Sequence, residues 1–291
     1  MKTLKTKWRP QMEDCINIKP VSEVFATAWQ EIKQRQGKPE IEIPFLSKLS
    51  EDIWGLRRQK MLVIGARTSQ GKSSFALQLA YHCAKQGFRT YLFSLEMGAE
   101  EITERLFCQL SHIPNFDLLL KPQEYADKAE EFSQLLEDLP LVITYKIGST
   151  IKELYDVIED LPKPDVVILD YIQAIKHFET DRLSVINDYI LKFRELSVQK
   201  NFAGVLVSQI NRGAMEAGDK RPQLWLLKSS GTLEEHADTV ILLHWPYFYS
   251  GKIEERENFE VIIAKNRSGT TGTRRARFEP QYYLISEAKW S

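Results

Sequence analysis

The stretch Met61 to Leu79, MLVIGARTSQGKSSFALQL, restricts the chain more than any other part of it. Met61, Leu62, Val63 and Ile64 form a short apolar run suited to a buried strand, and Phe75, Ala76, Leu77, Leu79 and Ala80 continue as the apolar face of a helix. A loop of small and polar residues ending in Gly71-Lys72-Ser73 joins them. Strand, loop and helix in that order are the context of a phosphate-binding P-loop, in which backbone amides and the positive end of the helix face a polyphosphate. The expected nucleotide contacts are Ala66, Arg67, Ser69, Gln70, Gly71, Lys72, Ser73 and Ser74, with Lys72 on the terminal phosphates and the Ser73 hydroxyl on Mg2+. Counting back from Gly71, the first motif position falls on Ala66, with Gly65 one residue too early for the strict glycine form.

The remainder of the chain supplies the partners such a loop needs. Thr90 to Leu95, Leu141 to Thr144, Asp165 to Asp170, Ala203 to Ser208, Thr239 to Leu243 and Phe259 to Ala264 read as strands. Gly98 to Leu110, Gln123 to Leu139, Ser149 to Asp160 and Leu183 to Gln199 read as helices, the third capped by Ser149 or Thr150. Strands alternating with helices imply an α/β fold around a mostly parallel sheet with right-handed crossovers. Arg274 to Phe278 and Tyr282 to Ile285 are suited to closing it with antiparallel strands. Before this domain, residues 21–44 read as a helix from Ser22 to Gln36, with Ser22 as N-cap and Gly37 as stop, and an extended linker to Pro44. Its stripe of Val21, Val24, Phe25, Ala28, Trp29 and Ile32 is matched to folding back on its own domain or packing on a neighbouring subunit, and local pattern favours the first. Met1 to Pro20 is unpatterned and reads as a flexible tail.

Composition narrows the partners. The 291 residues are 43% hydrophobic, enough for a sizeable core, and no apolar run approaches a membrane span or a signal peptide, so a soluble cytoplasmic protein is expected. Cys15, Cys83 and Cys108 lack metal-ligand spacing, and Cys83 and Cys108 read as core. With a net charge of −1, binding to nucleic acid requires a local basic surface.

In a parallel sheet, ligands gather at the carboxyl ends of the strands, so the polar residue closing each apolar run is a candidate. Asp170 fits a Walker B carboxylate acting on Mg2+. Glu96 fits either a general base for the attacking water or an acid favouring the next helix start. Gln209 fits a sensor of the γ-phosphate or a satisfied strand-end amide. Lys265-Asn266-Arg267-Ser268-Gly269 lies between two strand-like runs as a basic hairpin tip. A guanidinium there suits either a neighbouring subunit's phosphoryl group or plain solvation.

Taken together, ARTSQGKSSFAL from Ala66, YLFSLEM to Met97, VVILDYIQ to Gln173, VLVSQINR to Arg212, DKRP at Asp219 to Pro222, LKSSGTLEEHAD to Asp238 and IIAKNRSGTTGT from Ile262 resemble the ATPase domain of the DnaB-like hexameric replicative helicases, a RecA-like fold. The resemblance runs from about Val21 to Phe278 and puts residues 45–291 in the ATPase domain. It implies ATP and Mg2+ as cofactors, Asp170 as the Walker B acid, Glu96 as the catalytic glutamate and Gln209 as the coupler to central loops. It further implies Lys265 and Arg267 as a pair acting in trans, with Arg267 the arginine finger. The Ser22 to Gln36 helix becomes a linker helix packed on the adjacent subunit, reversing the local preference. Arg212, Lys228, Ser229 and Gly231 would meet the phosphates of single-stranded DNA in a ring, expected to be a homohexamer, with a helicase loader or other replication proteins as further partners. Two departures stand out. Full-length members carry a helical N-terminal domain where Met1 to Pro20 stands here, so that domain's primase contacts do not carry over by resemblance; a compact natural version or a truncated one would each account for this, and Met1 with an ordinary polar start favours the first. Their DNA loop has arginine followed by glutamate where this chain has Lys228 and Ser229, and lysine neutralises a phosphate without arginine's fork geometry. Two other classes remain open: a regulatory or recombination-type RecA-like ATPase, and an accessory module that binds a full-length helicase ring through the linker helix.

Overall fold

Five apolar runs become strands buried along their full length in the computed structural model, which describes residues 20–146, 148–175, 182–210, 220–227 and 230–288. They are β1 (Met61–Ala66), β2 (Thr90–Ser94), β4 (Val166–Asp170), β5 (Ala203–Gln209, buried up to its last residue) and β6 (Thr239–His244). Near-continuous apolar runs of this kind are what a parallel sheet covered on both faces requires. With β3 (Leu141–Tyr145), β7 (Phe259–Asn266), β8 (Gly272–Glu279) and β9 (Leu284–Glu287), the described residues form a nine-stranded sheet in the order β3-β2-β4-β5-β1-β6-β7-β8-β9. Pairing is parallel from β3 to β6 and antiparallel from β6 to β9. Antiparallel closure by the last two strands is as expected, and it begins one strand earlier, at β7.

The helices are α1 (Val21–Arg35), α2 (Ser47–Ile53), α3 (Lys72–Lys85), α4 (Ala99–Ser111), α5 (Asn115–Leu120), α6 (Ala126–Glu137), α7 (Ile151–Asp160), α8 (Arg182–Gln199), α9 (Ser230–His236) and α10 (Tyr247–Ser250). A core cluster on one face of the sheet joins α2, α3 and α4 to the strands, around Phe75, Leu79 and Leu106. The cluster on the other face joins α7, α8 and α9, around Ile158, Phe193 and Leu233. Cys83 and Cys108 are buried in the α3 and α4 side as expected, and burial pushes the Cys108 thiol up to about 11.

Several boundaries depart from the sequence expectation for local reasons. The helix expected from Gln123 opens with a 3-10 turn at Pro122–Tyr125, and α6 proper starts at Ala126. Of the two caps weighed for α7, Thr150 is the one used, in a reciprocal capping box with Glu153. Helix α1 starts at Val21 with Pro20 at the cap, so Ser22 is already inside its first turn and is not the N-cap. The chain divides into two compact units, residues 1–38 and 39–291. In the larger unit Ile41 and Ile43 are fully buried and Ile41 bridges Leu56, so the second half of the expected linker packs into the sheet domain.

Candidate functional site

The loop expected to cradle phosphates leaves β1 at its carboxyl end. Ser69 and Gly71 both have positive φ, at 63° and 76°, the left-handed backbone from which anion-binding nests are built. A Cβ on Gly71 would meet Phe278 at an ordinary contact distance of 3.4 Å, so it is the conformation that favours glycine there. Gly65 has a different purpose: a Cβ at that position would lie 2.6 Å from Leu227 and from Leu242. It is a packing glycine inside β1, and Ala66, fully buried, closes the strand where the motif begins.

A cavity of about 450 Å³ opens over this loop, walled by Thr68, Ser69, Gly71, Lys72, Ser73, Ser74, Glu96, Met97, Glu101, Arg105, Phe278, Pro280 and Tyr283. Lys72, only 8% exposed, holds its ammonium 4.7 Å from the centre of the Tyr171 ring. Asp170, at the end of β4, is buried; burial raises its pKa, opposed by the charge of Lys72 and a hydrogen bond from Ser73. Its Oδ1 has no hydrogen-bond partner among the described residues. Glu96 follows β2, whose Ser94 is in register with Asp170 on β4, so the two carboxylates leave adjacent strands at one edge. Two loop residues expected at the nucleotide direct their side chains elsewhere. Arg67 donates to the Tyr249 hydroxyl at 3.2 Å and stacks on that ring, and the Gln70 amide oxygen accepts from Trp245 N–H at 2.6 Å.

Gln209 reaches the loop directly, its Nε2 donating to Thr68 Oγ1 at 2.9 Å. It is held by Gln173, whose amide accepts from Gln209 N–H at 2.9 Å and donates to Ser208 Oγ at 2.8 Å. Gln173 was not singled out from sequence, although its place three residues beyond Asp170 was visible. Arg105 was missed as well. It is paired with Glu101 at 2.6 Å and stacked over Tyr283 at 4.8 Å, and its only sequence signal is the i, i+4 spacing of the two charges.

Lys265 and Arg267 are not at this cavity. Strand β7 runs antiparallel to β6, so its end at Lys265 and Asn266 lies beside Thr239, at the amino end of β6. Arg267 N–H donates to Asp238 O, and Asp238 N–H to Met61 O, each at 2.9 Å, which puts the turn level with the first residue of β1. The phosphate loop leaves after Ala66, five residues along the same strand and so about 16 Å away at ~3.3 Å per residue. The Arg267 side chain is 50% exposed. Of the expected DNA contacts, Gly231 lies exposed in α9, and Arg212, Lys228 and Ser229, like the tail 1–19, lie outside the described residues.

Comparison with known proteins matches this geometry. The replicative DNA helicase DnaC of Bacillus subtilis is 27% identical over 241 residues, covering 78% of this chain and 52% of its own length. The replicative DNA helicase DnaB of Leifsonia xyli is 29% identical over 290 residues, covering 95% of this chain and 62% of its own. The chain thus spans about half to three-fifths of the length of these relatives. Among solved structures, one of an isolated ATPase domain superposes with a TM-score of 0.85 at 25% identity, over 94% of this chain and all of that one. A DnaB-like replicative helicase, solved together with its interactions with primase, superposes with a TM-score of 0.82 at 25% identity, over 94% of this chain and 68% of that one. The family model described as DnaB-like helicase C terminal domain matches residues 44–287, and the chain belongs to that family.

Proposed function

We propose that the chain is an ATP-hydrolysing motor that assembles as a homohexameric ring and moves along single-stranded DNA, with each nucleotide held between two subunits. The observation that carries this reading is the separation of the phosphate loop from Arg267 across the length of β1, in a fold shared with a DnaB-like replicative helicase. A half-exposed guanidinium at the far edge of its own sheet cannot reach its own nucleotide. It is well placed to meet a neighbour's.

The loop amides not already engaged, unlike that of Gln70, which donates to Arg67 O at 3.2 Å, and the Lys72 ammonium would bind the phosphates, and Lys72 would balance charge at their outer end. The residues present fit Mg2+: the buried Asp170 has an Oδ1 with no partner among the described residues, and Ser73 beside it offers a hydroxyl. Bound there, the ion would neutralise charge on the phosphate oxygens. Glu96, at the same edge and exposed to the cavity, would orient the attacking water and take its proton. Gln209, tied to Thr68 of the loop and to the end of β4 through Gln173, would sense the outer phosphate. Arg267 of the adjacent subunit, with Lys265, would complete the charge. Helix α1 keeps Phe25, Trp29 and Ile32 exposed on one stripe, with Phe25 64% exposed, and none of its residues is buried. That stripe would pack on the neighbouring subunit and close the ring. Arg212, Lys228, Ser229 and Gly231 would face DNA in the channel, and a loader or other replication proteins would act with the ring in the cytoplasm.

The test is steady-state ATP hydrolysis across a range of protein concentrations, with and without single-stranded DNA. A rate per subunit that rises with concentration and rises again with DNA is expected. Concentration dependence without any response to DNA would overturn the translocase reading in favour of a regulatory ATPase, and a rate independent of concentration would overturn the shared site.

A further inference from the structure

Asp238 is the residue on which the far edge of the sheet converges. It sits between α9 and β6, is 4% exposed, and uses every polar atom it has. Its Oδ1 pairs with Lys60 Nζ at 3.1 Å and stands 3.9 Å from Arg267 Nη1. Its Oδ2 accepts from Met61 N–H at 3.0 Å and pairs with Arg194 at 3.0 Å. Its backbone N–H donates to Met61 O, and its backbone carbonyl accepts from Arg267 N–H, each at 2.9 Å. One buried carboxylate thereby ties together the start of β1, helix α8 and the turn that carries Arg267.

The second hold on that turn is the carboxyl end of α9. Arg267 Nη2 donates to Glu235 O at 2.6 Å, and Lys265 Nζ donates to Glu234 O and, at 3.4 Å, to Glu235 O. Carbonyls at the end of a helix carry partial negative charge and attract cations. Two adjacent cations repel each other, and the Arg267 charge is among the causes that lower the Lys265 pKa, after burial. An arrangement that keeps both cations at an exposed edge therefore needs compensating negative charge behind them, which Asp238 and the helix end supply.

We infer that Asp238 is the positioning residue of Arg267, holding the finger turn at the height and angle from which its guanidinium enters the site of the adjacent subunit. This inference rests on the reading of Arg267 as a group acting in trans. Asp238 itself touches no phosphate. Its effect is felt in the neighbour's rate while its own subunit's nucleotide binding stays intact. A misplacement of a catalytic group by about 1 Å costs up to roughly 100-fold in rate.

Subunit mixing tests it with the full chain. Asp238→Asn alone is expected to keep binding of a fluorescent ATP analogue at its own phosphate loop and to lose about 10- to 100-fold in hydrolysis. Lys72→Ala alone is expected to be inactive, with its Asp238 and Arg267 intact. When the two are mixed, hydrolysis should rise above the sum of the separate variants, because Lys72→Ala subunits present a correctly held finger to Asp238→Asn sites. A mixture of Arg267→Ala with Lys72→Ala runs in parallel. If that control rises and the Asp238→Asn mixture does not, the positioning role is overturned and the trans finger stands. If neither rises, the trans reading fails and the inference fails with it. Wild-type hydrolysis by Asp238→Asn alone would also overturn it. Should Asp238→Asn fold poorly, Asp238→Asn/Arg194→Met removes the guanidinium left stranded and is mixed in the same way, with the same outcomes decisive.

Discussion

The two ends of β1 and β6 present opposite kinds of chemistry. At the carboxyl ends, Lys72 and the phosphate loop line one cavity, Asp170 lies buried beside Ser73, and Gln209 is tied to Thr68 of the loop, with Lys72 and Asp170 nearly sealed from solvent. At the amino ends, Lys265 and Arg267 rest on helix carbonyls and a buried carboxylate, with the arginine half exposed and facing no cavity of its own subunit's phosphate loop. One edge holds a site with its charges drawn inward. The other offers charge outward. If Arg267 acts in trans as proposed, a single subunit carrying both edges would have half of two different sites, which would be a reason for such a chain to assemble.

The largest effect should separate the edges cleanly. Arg267→Ala is expected to leave binding of an ATP analogue within a few fold of wild type while hydrolysis falls by about 10³- to 10⁵-fold, the range for loss of an arginine finger. Lys72→Ala should lose binding as well as hydrolysis. Fluorescence titration beside a steady-state assay reads both, and equal loss of binding in the two variants would erase the distinction between the edges. A smaller effect belongs to the cavity edge alone. Glu96→Gln, which keeps the side chain's shape and removes its basicity, should lower hydrolysis by about 10²- to 10⁴-fold with binding retained. Rescue of Glu96→Gln by mixing with Arg267→Ala subunits would show the two groups belonging to different subunits.

How far the sequence showed this division depends on which edge is considered. The cavity edge was legible because its residues close apolar runs: Glu96 after β2, Asp170 at the end of β4 and Gln209 at the end of β5. The strands themselves were legible for the same reason, being buried on both faces. Helices α2 and α5 were not, since 7 and 6 residues are too few to establish a period and neither has a side-chain cap. The far edge was hidden in another way. Its location depends on β7 running antiparallel to β6, and strand direction leaves no mark on a run such as Phe259 to Ala264. The cluster around Asp238 was equally hidden, because Lys60, Arg194 and Arg267 come from three distant parts of the chain.

Two glycines, one inside β1 and one in α9, should also differ in how much bulk they accept. Gly65→Ala places a methyl 2.6 Å from Leu227 and Leu242 inside β1, and is expected to cost about 1–3 kcal/mol in urea unfolding. Gly231→Ala, in the first turn of α9 with nothing within 4 Å of its Cβ, should hold stability or raise it by up to about 1 kcal/mol. A comparable loss at both positions would mean that α9 is packed as tightly as the strand beneath the phosphate loop.

A last effect, seen only as pH falls, concerns the helix that the phosphate loop starts. His82 of α3 lies between Phe45, stacked at 5.3 Å, and Tyr81, and burial, aided by the charge of Lys85, lowers its pKa to about 4. Between its ordinary value of 6.5 and about 4, the unfolded chain takes up a proton that the native chain refuses, so stability from this residue is fully present above pH 6.5 and declines as pH falls towards 4. The expected loss is of order 1–3 kcal/mol. His82→Phe, which keeps a ring against Phe45, should flatten that part of the pH profile when melting temperatures are compared at pH 7, 5.5 and 4.5. An unchanged slope would place the acid sensitivity elsewhere, with the buried Asp170 excluded as its source, because burial raises that pKa and protonation relieves a penalty instead of creating one.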